Sequence, residues 1–322
     1  MFYKVIAFVL WMVACTTAKK KLPVNPSANI PSAEDAITPL PSGNNGIASR
    51  YPGDIGIGAD SSVIFCDDFE SYNSVTDLPG KWSDAYHTPN LRIVSGPENI
   101  FKGSRGLEFT VPQTSVEVSN TVEKKVSPGH DSLFLRYYAM FDSSFNVLGS
   151  SHNGCSISSK LCCPGEPANG SNKFTVSYEA WREDTATKNP GELNVYVYHP
   201  DQRSGYGDHF FPSGRVTPFG NLPGNFGPNF IARKDIIPQP GRWYCYELMV
   251  KTNTPGKRDG RIAMWLDGKL IADFPNQQLR TTKELMIDKF TVDLHIKYNT
   301  LGIARKWIDN VVAATAYIGP LN

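Results

Sequence analysis

Residues 241–274 read GRWYCYELMVKTNTPGKRDGRIAMWLDGKLIADF, and this stretch decides the fold class. Across 243–251 the residues alternate, with Tyr244, Tyr246, Leu248 and Val250 on one side and Cys245, Glu247, Met249 and Lys251 on the other. A period of two over that length predicts a half-buried strand. Positions 261–266 alternate again, Ile262, Met264 and Leu266 against Arg261, Ala263 and Trp265. Between the two runs Pro255 fixes φ, while Gly256 and Gly260 accept positive φ, so the chain reverses. Asp267-Gly268 then makes a tight turn into residues 269–274. The reading is a meander of three antiparallel strands.

Working outward, the strand candidates are 91–94, 106–111, 115–122, 133–141, 173–181 and 193–199 before the meander, and 289–298 and 306–317 after it. With 27 Gly and 24 Pro supplying turns, this series suits a β-sandwich and no α/β scheme. The domain spans 59–322, and its first apolar run is Val63 to Cys66. The insert at 204–240, rich in Gly, Pro and Phe, reads as an irregular loop that walls a binding groove. A formal net charge of +1, with both signs spread along the chain, argues against nucleic acid as a partner.

The N-terminus reads as a targeting signal over 1–15: a short basic start, an apolar run at 5–14, then Cys15. That run is too short to span a bilayer, so export is expected. Met12-Val-Ala-Cys15 resembles a bacterial lipobox, which implies a lipid on Cys15 and places the protein on the outer membrane or cell surface. An ordinary cleaved signal, giving a periplasmic or secreted protein, is the alternative. The lipid is then the sole tie to a membrane. Residues 16–58, polar and without apolar periodicity, read as a flexible tether.

Cys15 aside, five cysteines remain: Cys66, Cys155, Cys162, Cys163 and Cys245. In an oxidising compartment the expectation is a loop staple from Cys155 to Cys162 or Cys163. A zinc site falls short of ligands, with His152 alone beside those three cysteines.

The run W-x-x-x-E-x-x-V-x-x-N-T-P-G-x-x-D-G-x-x-x-x-W-x-D-G, from Trp243 to Gly268, resembles the central hairpin of jelly-roll polysaccharide lyases of the alginate and glucuronan lyase type (polysaccharide lyase families 14 and 20). More broadly it is similar to the concanavalin A-like lectin and glucanase superfamily. The resemblance implies an all-β jelly-roll sandwich of two antiparallel sheets, a monomer, holding a polysaccharide, most naturally an anionic one. In those lyases an S-x-R-x-x-W-R strand precedes a Y-x-Y strand. Here Trp181-Arg182 and Tyr196-x-Tyr198 fit, whereas Val176 and Tyr178 stand where the serine and arginine belong. Ser151-His152-Asn153-Gly154 occupies the place of the family's Gly-Gly-Lys loop.

Elimination across a uronate needs a group to neutralise the carboxylate, a base for the C5 proton and an acid for the leaving oxygen. Alternation puts Asn194, Tyr196 and Tyr198 on one face of their strand, opposite Leu193, Val195 and Val197. Tyr196 and Tyr198 are therefore the base and acid candidates, and His152 a base or a carboxylate partner. Arg136 and Tyr138 share a face, as do His295 and Lys297, and these four with Asn194 are candidate substrate contacts. No cofactor is required for this chemistry. Asp67, Asp68, Glu70 and Asp309, on the first and last strands, suggest a structural calcium.

Three further readings stay open. A non-catalytic surface lectin on the same fold is favoured by the missing arginine and lysine, and a surface adhesion or structural protein with an empty groove is a separate one. A jelly-roll glycoside hydrolase would need two carboxylates about 5 Å apart, with Glu179 and Glu247 as candidates; the E-x-D-x-x-E strand of such enzymes is absent.

Overall fold

The structure, a computed structural model, describes residues 38–149, 151–218, 220, 226–297 and 299–322. The expected export signal, with Cys15, and the tether up to residue 37 lie outside the described residues.

The alternating runs become strands. In chain order they are β1 (Val63–Asp67), β2 (Asp84–Tyr86), β3 (Leu91–Val94), β4 (Gly106–Val111), β5 (Val118–His130) and β6 (Ser132–Phe141). Next come β7 (Ser151–His152), β8 (Cys155–Ser159), β9 (Phe174–Trp181), β10 (Glu192–Tyr198), β11 (Asp208–Phe210) and β12 (Val216–Thr217). The chain closes with β13 (Tyr244–Lys251), β14 (Gly260–Leu266), β15 (Lys269–Gln277), β16 (Ile287–Ile296) and β17 (Ala304–Ala314). One sheet runs β15-β14-β13-β6-β17-β4-β3, with β1 also on β17; the other runs β12-β11-β10-β9-β8-β16-β5-β2, with β7 also on β16. The meander of β13, β14 and β15 forms as the sequence dictates. Its tight turn holds Asp267 at φ +50° and Gly268 at φ +74°, the two positive values that a type I′ hairpin requires.

The sheets stack on a core built from the aliphatic side of each strand. Leu135, Tyr137, Ala139 and Phe141 of β6 meet Val195 and Val197 of β10 and Phe290, Val292 and Leu294 of β16. The expected all-β jelly-roll sandwich is the observed architecture.

The first sheet is also buried on its outer side. Phe134, Met249, Ala263, Trp265 and Val312 form a second apolar layer there, covered by Ile47, Ala48, Ile57, Tyr317 and Ile318. Gly46 lets the N-terminal segment press against the C-terminal one, because a Cβ there would lie 2.3 Å from the Ile318 carbonyl oxygen. Trp265 Nε1 donates to Pro41 O at 2.9 Å. From residue 38 onward, then, the expected tether packs on the sheet, since its few apolar residues are what seal this layer.

This layer corrects several site expectations. Arg136 and Tyr138 do share a face, but it is the outer face of the first sheet, because Tyr137 between them enters the core. Arg136 is fully buried in an ion pair with Asp54. The Tyr138 ring stacks on Phe101 at 3.8 Å, and its hydroxyl accepts from Leu321 N at 2.7 Å. Glu247 lies there too, accepting from Ile318 N and Gly319 N at 2.8 and 2.9 Å, so it cannot pair with Glu179 of the other sheet.

The four acids proposed for calcium are each engaged by the protein's own donors. Asp67 accepts from Tyr72 Oη at 2.6 Å, Trp82 Nε1 at 2.7 Å and Lys81 Nζ at 3.2 Å. Asp68 accepts from Glu70 N at 3.3 Å, and Glu70 from Ser104 N and Arg105 N at 2.7 and 2.9 Å. Asp309 accepts from Phe101 N and Lys102 N, both at 3.0 Å. Among the described residues no group of three metal-ligating side chains forms. Nor does the cysteine staple form: Cys155 is buried inside β8, Cys162 and Cys163 are exposed in the following loop, and all three are free.

Candidate active site

The outer face of the second sheet collects the polar side of the same strands. On β10 it carries Asn194, Tyr196 and Tyr198, whose cross-strand partners on β9 are Glu179, Ser177 and Thr175. Although Tyr196 and Tyr198 point away from the core, they are only 8% and 7% exposed, and they pack with Ala168 as a cluster separate from it. Two loops, 160–172 and 199–207, meet beside this face. Gln202 ties them together: its Oε1 accepts from Ala168 N at 3.2 Å and His199 N at 3.1 Å, and its Nε2 donates to Ser204 O and Tyr206 O, both at 3.0 Å. Lys173, buried below the rim, donates to the carbonyls of Cys162 and Cys163 at 2.8 and 2.6 Å and lies 4.7 Å over the Tyr198 ring.

The insert expected to be irregular instead adds β11 and β12 to the sheet edge. Gly207 brings its backbone against β10, where its N–H donates to Tyr196 Oη at 2.9 Å; a Cβ at this position would meet Val197 O at 2.5 Å. His209 faces Tyr196 across the β10–β11 ladder, with ring centroids 4.8 Å apart. Its Nδ1 bonds Asn194 Oδ1 at 2.9 Å, and its ring stacks on Trp181 at 4.6 Å.

From the other side come His152 on β7 and His295 on β16, register partners whose rings stack at 5.2 Å. His152 lies 5.0 Å from the Tyr196 ring, and its Nδ1 bonds Glu179 Oε2 at 2.7 Å. Glu179 is 2% exposed, and its second oxygen is 3.5 Å from His209 Nδ1. One carboxylate thus lies between two imidazoles.

The protonation of this cluster follows from its surroundings. Burial is the largest influence on Glu179 and raises it above the ordinary carboxylate value. On His152 burial works against the charge, but the charge and hydrogen bond of Glu179 outweigh it, so the imidazole is raised. Desolvation alone would favour a neutral pair and the 2.7 Å contact an ion pair. We take the contact as decisive, with the proton held on His152 and the two groups titrating as a unit. Burial, then the charges of His152 and Arg215, pull His209 down to about 3; burial, then the charges of His152 and His87, pull His295 down to about 4. Both rings are neutral at pH 7. With its Nδ1–H on Asn194, His209 presents Nε2 as an acceptor. Burial first, then the neighbouring Tyr198, raises Tyr196, so its hydroxyl keeps its proton.

The structure therefore gathers Tyr196, Tyr198, His152, Asn194 and His295 of the expected residues. Lys297 is exposed one residue past the end of β16. The missed residues are His209 and Trp181, together with Glu179 as the partner of His152. Alternation along 173–181 placed Glu179 and Trp181 on the same face as Ser177 and was the available signal for both. His209 sits in a segment with no periodicity to read.

No protein-family profile matches the chain, and no curated protein matches it. Solved structures do. A variant of the alginate lyase Aly36B, in complex with an alginate tetrasaccharide, superposes with a TM-score of 0.57 at 17% identity, over 80% of this chain and 98% of that one. An endo-β-1,4-glucuronan lyase from the fungus Trichoderma reesei gives 0.52 at 15% identity, over 79% of this chain and 96% of that one. A marine PL-14 alginate lyase from Aplysia kurodai gives 0.52 at 13% identity, over 79% and 100%. At these identities the likeness is one of fold, and the expected resemblance to jelly-roll polysaccharide lyases holds at that level.

Proposed function

We propose that this protein cleaves a uronate-containing polysaccharide by β-elimination. The observation that carries the reading is His152, bonded to Glu179 at 2.7 Å, with its ring centroid 5.0 Å from that of Tyr196 on the outer face of the second sheet. A uronate laid over the edges of these two rings would place its carboxylate against His152, which neutralises it and steadies the enolate formed when C5 loses its proton. His209 Nε2 takes that proton, the negative charge of the bound uronate offsetting the burial and the His152 and Arg215 charges that otherwise hold this imidazole at about 3. The C4–O bond then breaks as C4=C5 forms, and Tyr196 Oη gives its proton to the leaving oxygen, with the Gly207 N–H steadying the phenolate. Trp181 and Tyr198 offer apolar faces to the flanking sugars. The alginate and glucuronan lyases of the same fold support a polyuronate as substrate.

The test incubates the purified protein with alginate, glucuronan and related polyuronates and follows the ultraviolet absorbance of the unsaturated product. Growth of that signal, falling by about a hundredfold or more in Tyr196→Phe with little change in KM, supports elimination. Retention on immobilised polyuronate with no absorbance change would instead identify a lectin. Export and a lipid on Cys15 belong to the same proposal, and mass spectrometry of the mature N-terminus tests them.

A further inference from the structure

Strand β16 changes neighbours beneath the site. It pairs with β8 over Lys289 to Val292 and with β7 over His295 and Ile296. Between these stretches lies the Asn153-Gly154 turn that links β7 to β8. A Cβ on Gly154 would stand 1.7 Å from Tyr178 O, so only glycine fits this crossing. One ladder bond survives the break, from Asp293 N–H to Gly154 O at 3.0 Å, while Asn153 O and Asp293 O face the protein interior, where an unmade hydrogen bond costs about 1–3 kcal/mol.

The donor comes from the opposite sheet. Lys306 of β17 is fully buried and sends its ammonium through the core, donating to Asn153 O at 2.6 Å, Gly154 O at 3.1 Å and Asp293 O at 3.0 Å. On its other side, toward β9, Asn153 copies a strand pairing with its side chain, donating to Ala180 O at 2.8 Å and accepting from Ala180 N at 2.9 Å. The residues on either side of these contacts are His152, Glu179 and, two along from Asp293, His295.

We propose that Lys306 is a positioning residue for the active site, clamping the β7–β8 turn to β16 so that His152 meets Glu179. Its Nζ faces the rings of Tyr137 and Phe141 at 5.5 and 5.9 Å; burial pulls the group down to about 7, opposed by Asp293 and Cys155, its neighbouring titratable groups. Without the clamp the turn is held to β16 by the Asp293 N–H bond to Gly154 O alone, and a shift of about 1 Å is enough to cost a hundredfold in rate at such a site. The catalytic consequence rests on the elimination reading; the geometry of His152 does not.

The experiment uses Lys306→Met, which keeps the stem and loses the donors, and Lys306→Gln, which keeps two N–H groups without the charge. The His152 imidazole is titrated by NMR, which needs no substrate, and folding is checked by cooperative thermal unfolding. A folded Lys306→Met whose His152 midpoint drops by about one pH unit or more, with kcat falling and KM little changed, supports the clamp. Lys306→Gln should fall between the two. A folded variant whose His152 titrates as in the parent overturns the proposal. So does failure of both variants to fold, which would assign Lys306 to the fold at large. A moved His152 midpoint in a protein without lyase activity would uphold the clamp and reject the elimination reading alone.

Discussion

Glu179→Gln is the sharpest perturbation of the site. The amide keeps the shape of the side chain, and its oxygen still accepts from the His152 Nδ1–H, so only the charge is lost. The parent contact is short, 2.7 Å, and its carboxylate is nearly inaccessible, while the His152 side chain keeps 33% of its surface in water. A hydrogen bond to a charged group contributes about 1.5–3 kcal/mol, or roughly one to two pH units at 1.36 kcal/mol per unit. The partial exposure of His152 favours the lower end, so its midpoint should drop by about one unit. Burial, no longer opposed, would then leave the ring mostly neutral at pH 7, and the rate of elimination should drop about tenfold. The sign extends to stability. Both partners titrate above their ordinary values, so what the pair contributes is full at low pH and is lost as pH rises through the raised midpoints. NMR titration of His152 together with kcat/KM across pH checks both effects. An unmoved or raised midpoint in Glu179→Gln would refute the reasoning, because the carboxylate would then not be what holds the proton.

Arg136→Met should cost about 3–5 kcal/mol by leaving Asp54 buried without its partner, yet leave kcat per folded molecule unchanged, because Arg136 faces away from the site; urea unfolding and the lyase assay check the two halves. Glu247, pushed up to about 7 by burial against the pull of two backbone N–H donors, binds its proton more tightly folded than unfolded. Its stabilising share is therefore present below about pH 4.5 and lost as pH climbs to 7, about 3 kcal/mol in all. Glu247→Gln should flatten that part of the stability profile, and an unchanged slope would show that the carboxyl is not protonated in the fold.

The fold was legible because its information is local. A period of two announces a strand wherever one side must be dry, and β3 and β4 begin and end where the alternation does. The meander was readable from its turn residues, since Asp267 and Gly268 adopt the positive φ that the hairpin demands. Alternation also sorted β10 correctly into a tyrosine side and an aliphatic side. It failed where strands are short: β8 was hidden in a cysteine-rich stretch, and β11 and β12 in a Gly- and Pro-rich insert. The two or three residues of β12 and β11 give no period to count, and the five of β8 carry one aliphatic side chain, Ile157.

What alternation cannot supply is which of two sheets a strand joins. Arg136 and Tyr138 have the same pattern as Asn194 and Tyr196, polar groups set against an apolar side, yet one pair is sealed under the terminal segments and the other lines the site. The difference arises from residues outside the strands themselves, Ile47 and Ile318 far off in the chain in one case and Gly207 and Gln202 in the following loop in the other. For the same reason the His152–Glu179 contact escapes sequence reading. It spans 27 positions and exists because the chain breaks its own ladder at Gly154, a break that a lysine 152 positions further on makes tolerable. The fold is thus encoded by near neighbours, whereas the site depends on where the second sheet departs from its regular pattern.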